Sequence, residues 1–159
     1  MIWLLLISFT LNAQQITWTE VAPGVWKGIA GKPEAYDLLK AAGSSPNREA
    51  LSKMKSANFP ISENEISAAV HDGKTALRFP LEQEEQLFGF GLNFQTVHQR
   101  GKILRLHVDH YAGKDNGRTH APVPFYVSAK GYGVFINSAR YIDVYAGTGV
   151  RKDSKDPPV

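Results

Sequence analysis

Carboxylate and imidazole side chains in the C-terminal half of the chain are the groups best suited to chemistry. The histidines there are His98, His107, His110 and His120, and the aspartates include Asp109, Asp115 and Asp143. Acid–base hydrolysis, for example of a glycosidic bond, usually needs two carboxylic acids that face each other across the scissile bond. No motif fixes such a pair, and Asp143 is predicted on the solvent face of a strand. The residues alone therefore assign no catalytic group.

His107 and His110 are the histidines whose spacing could suggest a metal site. Residues three apart share a face on an α-helix but not on a β-strand, and the sequence around them predicts a strand that runs into a loop. The chain has no cysteine, which excludes disulfides, thiolate metal sites and a cysteine nucleophile. It also has neither a glycine-rich phosphate loop nor a Gly-x-Ser-x-Gly turn. We therefore expect neither a metal ion nor a cofactor.

The composition is ordinary for a soluble globular domain, with 159 residues of which 43% are hydrophobic and 21% charged. This length suits one domain with a substantial core, which we place at residues 16–159. The 18 basic and 15 acidic residues give a formal charge of +3, but the basic residues are scattered along the chain. Because phosphate binding needs clustered basic residues, we expect no nucleic-acid partner.

Residues 1–13 have the composition of a signal peptide. An apolar run is followed by small and polar residues, and we expect cleavage after Ala13. The run is too short to anchor a protein stably across a bilayer. We therefore expect an exported protein, periplasmic or extracellular, without a membrane span in the mature chain. No Lys or Arg precedes the apolar run, so either the signal peptide is atypical or the true start of the protein lies upstream. The alternative to a signal peptide is that this run forms a buried first strand.

Many short strands with closely spaced turns are predicted along the rest of the chain. Turn signals stand at Pro23-Gly24, at Asp72-Gly73 and at Ala129-Lys130-Gly131, each between runs of strand-forming residues. Residues 33–57 predict a short helical or irregular segment instead. No βαβ alternation is visible. The pattern therefore favours an all-β fold, an antiparallel β-sandwich.

Three features within these strands can be interpreted from the residue types. Gly89 and Gly91 interrupt an aromatic strand, which is typical of a bulge or of a close backbone approach. Trp18 and Trp26 could form a platform for a sugar, but core packing is the simpler interpretation. The acidic run Glu82, Glu84 and Glu85 is most simply a solvated edge.

Four landmarks, in this order, resemble the N-terminal domain of glycoside hydrolase family 31. Gln86-Leu87-Phe88-Gly89-Phe90-Gly91 resembles the family's (Y/F)GxGE strand, although Leu92-Asn93 follows where many members have Glu-His or similar. The later landmarks are Val108-Asp109-His110, then Pro124-Phe125-Tyr126-Val127-Ser128 for PF(Y/F)xS, then Gly131-Tyr132-Gly133-Val134-Phe135-Ile136-Asn137 for GYGVFxxN. The resemblance covers residues 81–145 and is weak before Phe79.

The resemblance implies a galactose-mutarotase-like β-sandwich placed before a catalytic (β/α)8 barrel. The family's catalytic aspartates lie on that barrel, so no catalytic residue is carried over to this chain. The N-terminal domain lends one loop to the substrate pocket, and its acidic sugar-binding residue corresponds best to Asp109, with His110 as a neighbouring candidate. An ordinary strand-end residue that caps a turn is the alternative for Asp109. Phe125, Tyr132 and Phe135 are expected in core or inter-domain packing.

We therefore expect the non-catalytic N-terminal sandwich of an exported, retaining α-glycosidase that acts on α-linked oligosaccharides, with the barrel as its partner in cis. The charged, proline-rich end of the chain suggests that the sandwich is incomplete there. A free-standing carbohydrate-binding β-sandwich is the alternative function. A structural or surface-adhesion sandwich is a third.

Overall fold

The structure is a computed structural model that describes residues 13–43, 47–93, 96–108 and 119–149. Its strands are β1 (Ala13–Gln14), β2 (Thr17–Ala22), β3 (Val25–Ile29), β4 (Ser67–His71), β5 (Lys74–Arg78), β6 (Leu87–Gly91), β7 (Ile103–Leu106), β8 (Pro122–Ser128), β9 (Gly133–Phe135) and β10 (Ile142–Tyr145). Two short helices, α1 (Leu38–Ala41) and α2 (Arg48–Ser52), and a 3-10 turn at Glu63–Glu65 lie between β3 and β4.

Every pair of these strands is antiparallel, and the sheets are small. Their strand orders are β1-β4-β5, β2-β3, β6-β8-β9 and β10-β7. The predicted all-β class, with antiparallel pairing and a short helical segment near residues 33–57, is confirmed, and the sheets are consistent with the predicted β-sandwich domain. The extent of that domain, residues 16–159, stays a prediction.

The predicted turns lie where the sequence places them. Asp72 and Gly73 connect β4 to β5, and both have positive φ, at 47° and 70°. Two positive φ values in a two-residue turn match the right-handed twist of the strands, which explains why Asp-Gly is favoured there. Gly131, with φ of 86°, ends the turn between β8 and β9. The third predicted turn, at Pro23-Gly24, lies between β2 and β3.

Side-chain caps explain why short helices form in a segment with weak apolar periodicity. The Asp37 carboxylate accepts hydrogen bonds from the backbone N–H groups of Leu39 and Lys40, at 2.9 and 3.2 Å. Asn47 caps α2 in the same way, accepting from the Ala50 N–H at 3.0 Å. Such caps satisfy N–H groups that have no partner within a helix.

The described residues fall into two compact units, and the first contains residues 13–33 and 47–80. Phe59 lies between two tryptophans of this unit, with ring centroids 4.8 Å from Trp18 and 5.2 Å from Trp26, both edge to face. The Trp18 ring also lies over Gly28, where an added Cβ would be 2.6 Å from the ring. These contacts support the packing interpretation of both tryptophans.

The second unit contains residues 34–43 and the described residues from 81 to 149, and it holds most of the buried core. Phe90 and Tyr126 stack at its centre, with ring centroids 5.1 Å apart. Buried around them are Leu87, Leu104, Leu106 and Ala146. Burial of these side chains is the dominant stabilising contribution here, since each large apolar side chain contributes about 1.5–3 kcal/mol.

A polar contact joins the segment before α1 to residues about one hundred positions later in this second unit. Asn137 accepts a hydrogen bond from the Leu38 N–H at 3.0 Å, and its amide donates to the Asp37 carboxylate at 3.1 Å. Glu34 accepts from the Ser138 hydroxyl and pairs with Arg140, at 3.1 and 3.0 Å. The chain that leads into β10 is therefore held at several points.

Candidate functional site

The predicted substrate-binding residues, Asp109 and His110, lie outside the described residues, so their role stays a prediction. The structure does describe both ends of the loop that contains them. Val108 and Thr119 form an isolated parallel bridge, and the Thr119 N–H donates to the His107 carbonyl at 3.5 Å. The two ends of the loop are thus held side by side.

Thr119 is buried, with 3% of its surface exposed, and it connects the loop end to the chain after β6. Its hydroxyl donates a hydrogen bond to the Leu92 carbonyl, and the Leu92 N–H donates to the Ala121 carbonyl at 3.2 Å. A buried hydroxyl that is hydrogen-bonded to a backbone carbonyl holds its segment in place. If the two groups moved apart, each would be a buried polar group without a hydrogen-bonding partner, which is costly in free energy. Thr119 is therefore attached to the chain that follows β6.

β6 carries the bulge that its glycines predicted. Gly89, Phe90 and Gly91 have φ of 119°, 65° and 97°, and the pairing with β8 shifts register between the two glycines. A Cβ at Gly89 would lie 2.6 Å from the Phe125 carbonyl oxygen, and one at Gly91 would overlap the Ala121 carbonyl. Only glycine fits both the positive φ and the close approach. The bulge turns the Phe90 ring into the core.

A second polar feature lies at the β7–β10 sheet. Leu104 and Leu106 of β7 face the core, so the alternation of a strand places Arg105 on the opposite face. Arg105 lies directly across from Asp143 of β10 in the antiparallel register. Beside them, the His107 and Tyr141 rings are in contact, with centroids 4.2 Å apart.

These residues line a shallow open depression of about 250 Å³, which we call the β7–β10 patch: Arg105, His107, Tyr141, Ile142 and Asp143. Its ring surface comes from Tyr141, which is 79% exposed. Asp143 lies on the solvent side of its strand, as predicted. Among the described residues, neither the Arg105 guanidinium nor the Asp143 carboxylate has a hydrogen-bonding or ion-pair partner.

A third polar group, the Glu85 cluster (Glu85, Ser128 and Tyr132), is closed rather than open. Glu85 is only 5% exposed, and its Oε1 accepts hydrogen bonds from the Ser128 hydroxyl and from the Tyr132 hydroxyl at 2.7 Å. Its Oε2 accepts from the Glu82 N–H at 3.0 Å. The carboxylate therefore connects the segment before β6 to both sides of the β8–β9 turn.

Electrostatics agree with this geometry. Burial alone would raise the pKa of the Glu85 carboxyl, but the hydrogen bonds from Ser128, Tyr132 and the Glu82 N–H, together with the Lys130 charge, outweigh it and hold the pKa below its ordinary value. Burial, and then the hydrogen bond to Glu85, raises the pKa of Tyr132 to about 12. The cluster is thus a carboxylate with protonated donors, suited to structure rather than to proton transfer.

Comparison with known protein families decides the family. Residues 9–144 match the model of the glycosyl hydrolase 31 N-terminal galactose mutarotase-like domain. The chain belongs to this family. The match includes β2 to β9 and most of β10, so it extends well before the residues 81–145 that carried the resemblance. It also includes Asp109 and His110.

One curated relative adds a distant similarity to a much longer protein. The family 31 domain is 35% identical over 57 residues to an isomaltosyltransferase of Sporosarcina globispora. The aligned segment is 36% of this chain and 5% of the relative. The chain therefore spans only a small part of that protein's length.

The structure corrects one prediction about the family 31 domain. Glu85 does not lie on a solvated edge with Glu82 and Glu84, because it is buried and fully hydrogen-bonded. The sequence contained an indication that Glu85 is buried: it precedes Leu87 by two residues, and residues two apart in extended chain point to the same side.

Phe125 and Phe135 are 41% and 37% exposed, so they lie outside the core of the described residues.

The described residues of the family 31 domain contain neither a metal-binding cluster nor a membrane-spanning helix. No group of three or more His, Asp or Glu side chains in these residues could hold a metal ion. No helix in this part of the chain is long and apolar enough to cross a membrane.

Proposed function

We propose that this chain is the non-catalytic N-terminal domain of an exported, retaining α-glycosidase that acts on α-linked oligosaccharides. In this role it supports a catalytic domain and lends it the loop that contains Asp109 and His110. The observation that carries the proposal is the match of residues 9–144 to the glycosyl hydrolase 31 N-terminal galactose mutarotase-like domain. At the ends of the predicted loop, Val108 and Thr119 are bridged, and Thr119 is attached to the chain after the β6 bulge. The two residues that flank the predicted loop therefore lie side by side.

The chemistry of Asp109 fits such a loop. A carboxylate can accept hydrogen bonds from two neighbouring hydroxyl groups of a sugar. A substrate that lacks these hydroxyl groups would leave the carboxylate unpaired in the pocket, so it would bind more weakly. His110 would add a neighbouring donor or acceptor. The similarity to an isomaltosyltransferase supports an α-linked glucose oligosaccharide as substrate, since an isomaltosyl group is two α-linked glucose units.

The decisive experiment compares kcat/KM for an aryl α-glucoside in the complete protein that contains this chain. Asp109→Ala should lower kcat/KM by about 10- to 100-fold, because a hydrogen bond to a charged group is lost in the pocket. The matched control is Glu84→Ala, since Glu84 is an exposed carboxylate of the same domain. Equal kcat/KM for the two variants would contradict the proposal.

A further inference from the structure

The β7–β10 patch contains exposed and half-buried aromatic and charged side chains that the proposed loop function does not use. Its aromatic part is the contact between His107 and Tyr141, with centroids 4.2 Å apart. Tyr141 is 79% exposed and has the imidazole against one side of its ring, so the other ring face is open to a ligand. Tyrosine provides such contact area at low entropic cost because it has only two side-chain torsions.

The charged part of the patch lies beside these rings. Arg105 and Asp143 are direct neighbours across the antiparallel strands, so their Cβ atoms are about 4.5–5.5 Å apart. Both side chains lack partners among the described residues. A guanidinium only donates hydrogen bonds and a carboxylate only accepts them, so the pair matches a ligand whose groups do both.

We propose that the β7–β10 patch binds a pyranose unit of a neutral oligosaccharide. The apolar C–H face of the sugar packs on the side of the Tyr141 ring that His107 leaves open. Its neighbouring hydroxyl groups accept from Arg105 and donate to Asp143. The patch shares with small-molecule sites the combination of a ring surface and a few converging polar groups, on a surface that is shallow and open.

Other classes of ligand fit the patch less well. An anion would face the Asp143 carboxylate, and the opposite charges of Arg105 and Asp143 leave no net attraction for a phosphate or a sulfate. An apolar peptide would need more aliphatic surface than Ile142 provides. A sugar uses the ring face and both charged groups together.

This inference goes beyond the proposed function, because the patch consists of residues on and beside β7 and β10 and needs neither Asp109 nor a catalytic domain. Sugar binding at the patch would hold a long substrate or a polysaccharide on the domain surface. The two ideas can therefore fail separately, and one set of variants distinguishes them.

The test is a titration of the full chain with maltotriose, followed by amide chemical shifts in NMR spectra. We expect saturable shifts at residues of the patch, and we expect Tyr141→Ala to weaken binding by at least about tenfold. Tyr141→Phe keeps the ring and should bind within about twofold of the wild type. Tyr36→Ala is the matched control, since Tyr36 is also an exposed tyrosine, at 58%.

Shifts that avoid the patch, or equal affinities for Tyr141→Ala and Tyr36→Ala, would overturn the inference. Asp109→Ala in the same titration separates it from the loop function. Unchanged patch binding in that variant supports an independent site, whatever the effect on turnover. Loss of all binding with Asp109→Ala alone would assign the sugar to the loop and reject the patch.

Discussion

The Glu85 cluster and the β7–β10 patch are built from similar residues in opposite states. Each combines a carboxylate with a tyrosine in the same compact unit. Glu85 is 5% exposed and accepts hydrogen bonds from Ser128, Tyr132 and the Glu82 N–H. Asp143 is exposed, and among the described residues its carboxylate has no partner. The same kind of group is internally satisfied in one place and open in the other.

The difference shows how a β domain divides its polar groups between structure and binding. Burial of an ionised carboxylate costs several kcal/mol of desolvation free energy unless hydrogen-bond donors around it compensate for the lost water. Glu85 meets that condition and fixes the β8–β9 turn against the chain before β6. An exposed carboxylate stays hydrated at little cost, so Asp143 remains available to a ligand. Substitutions at the two places should therefore affect different properties.

The largest expected effect is on folding, from removal of the buried carboxylate. Glu85→Ala leaves the Ser128 and Tyr132 hydroxyls and the Glu82 N–H without their shared acceptor. We expect the free energy of unfolding to fall by about 2–4 kcal/mol, because the buried Ser128 hydroxyl loses a charged partner and the half-buried Tyr132 hydroxyl loses the same acceptor. Urea unfolding of the full chain measures the change.

Glu84→Ala is the matched control for this prediction, because Glu84 belongs to the same acidic run but is exposed. Its effect should stay within about 0.5 kcal/mol, as for most surface substitutions. Equal effects of the two substitutions would show that the Glu85 cluster contributes no more than a solvated edge.

A smaller effect is the pH dependence that the same carboxylate confers. The folded-state pKa of Glu85 lies below its ordinary value of 4.5, so the unfolded chain binds the proton more readily. This stabilisation is fully present above the ordinary value and is lost as the pH falls through the lower folded-state pKa. Unfolding free energies of wild type and Glu85→Gln, measured from neutral to acid pH, should therefore converge as the pH falls.

Other carboxylates do not confuse this comparison. Asp37 also has a lowered pKa, chiefly because the Asn137 side chain donates a hydrogen bond to it. Asp37 is present in both proteins, so its contribution cancels in the difference between them. A constant difference across the acid range would contradict the assigned pKa direction for Glu85.

The hairpins and the bulge were predictable because their causes are local. Asp72-Gly73 allows two positive φ values, and Gly89 and Gly91 allow close backbone approach, so the sequence signal and the geometry coincide. The family landmarks were also local, since they are continuous segments. The sugar-binding role predicted for Asp109 depends on the family alone, because the described residues stop on either side of the segment that contains it.

The long-range polar contacts were not predictable in the same way. Nothing near Asp37 or Glu34 indicates that they contact Asn137, Ser138 and Arg140, about one hundred residues later. The β7–β10 patch was not predictable for the same reason, since Arg105 and Asp143 are neighbours only because β7 pairs with β10 in this register. Side-chain pairs across strands depend on a register that is set by the whole core.

The smallest effect on stability is expected for a substitution in the β7–β10 patch, and it is the sharpest test of the difference between the patch and the Glu85 cluster. Asp143→Ala removes an exposed carboxylate that has no partner among the described residues, so the free energy of unfolding should change by less than about 0.5 kcal/mol. Maltotriose affinity should fall in the same variant, because the sugar hydroxyls lose their acceptor. Paired urea unfolding and maltotriose titration measure both quantities. A stability loss as large as that of Glu85→Ala would make Asp143 a structural residue, and the division between the closed cluster and the open patch would then be wrong.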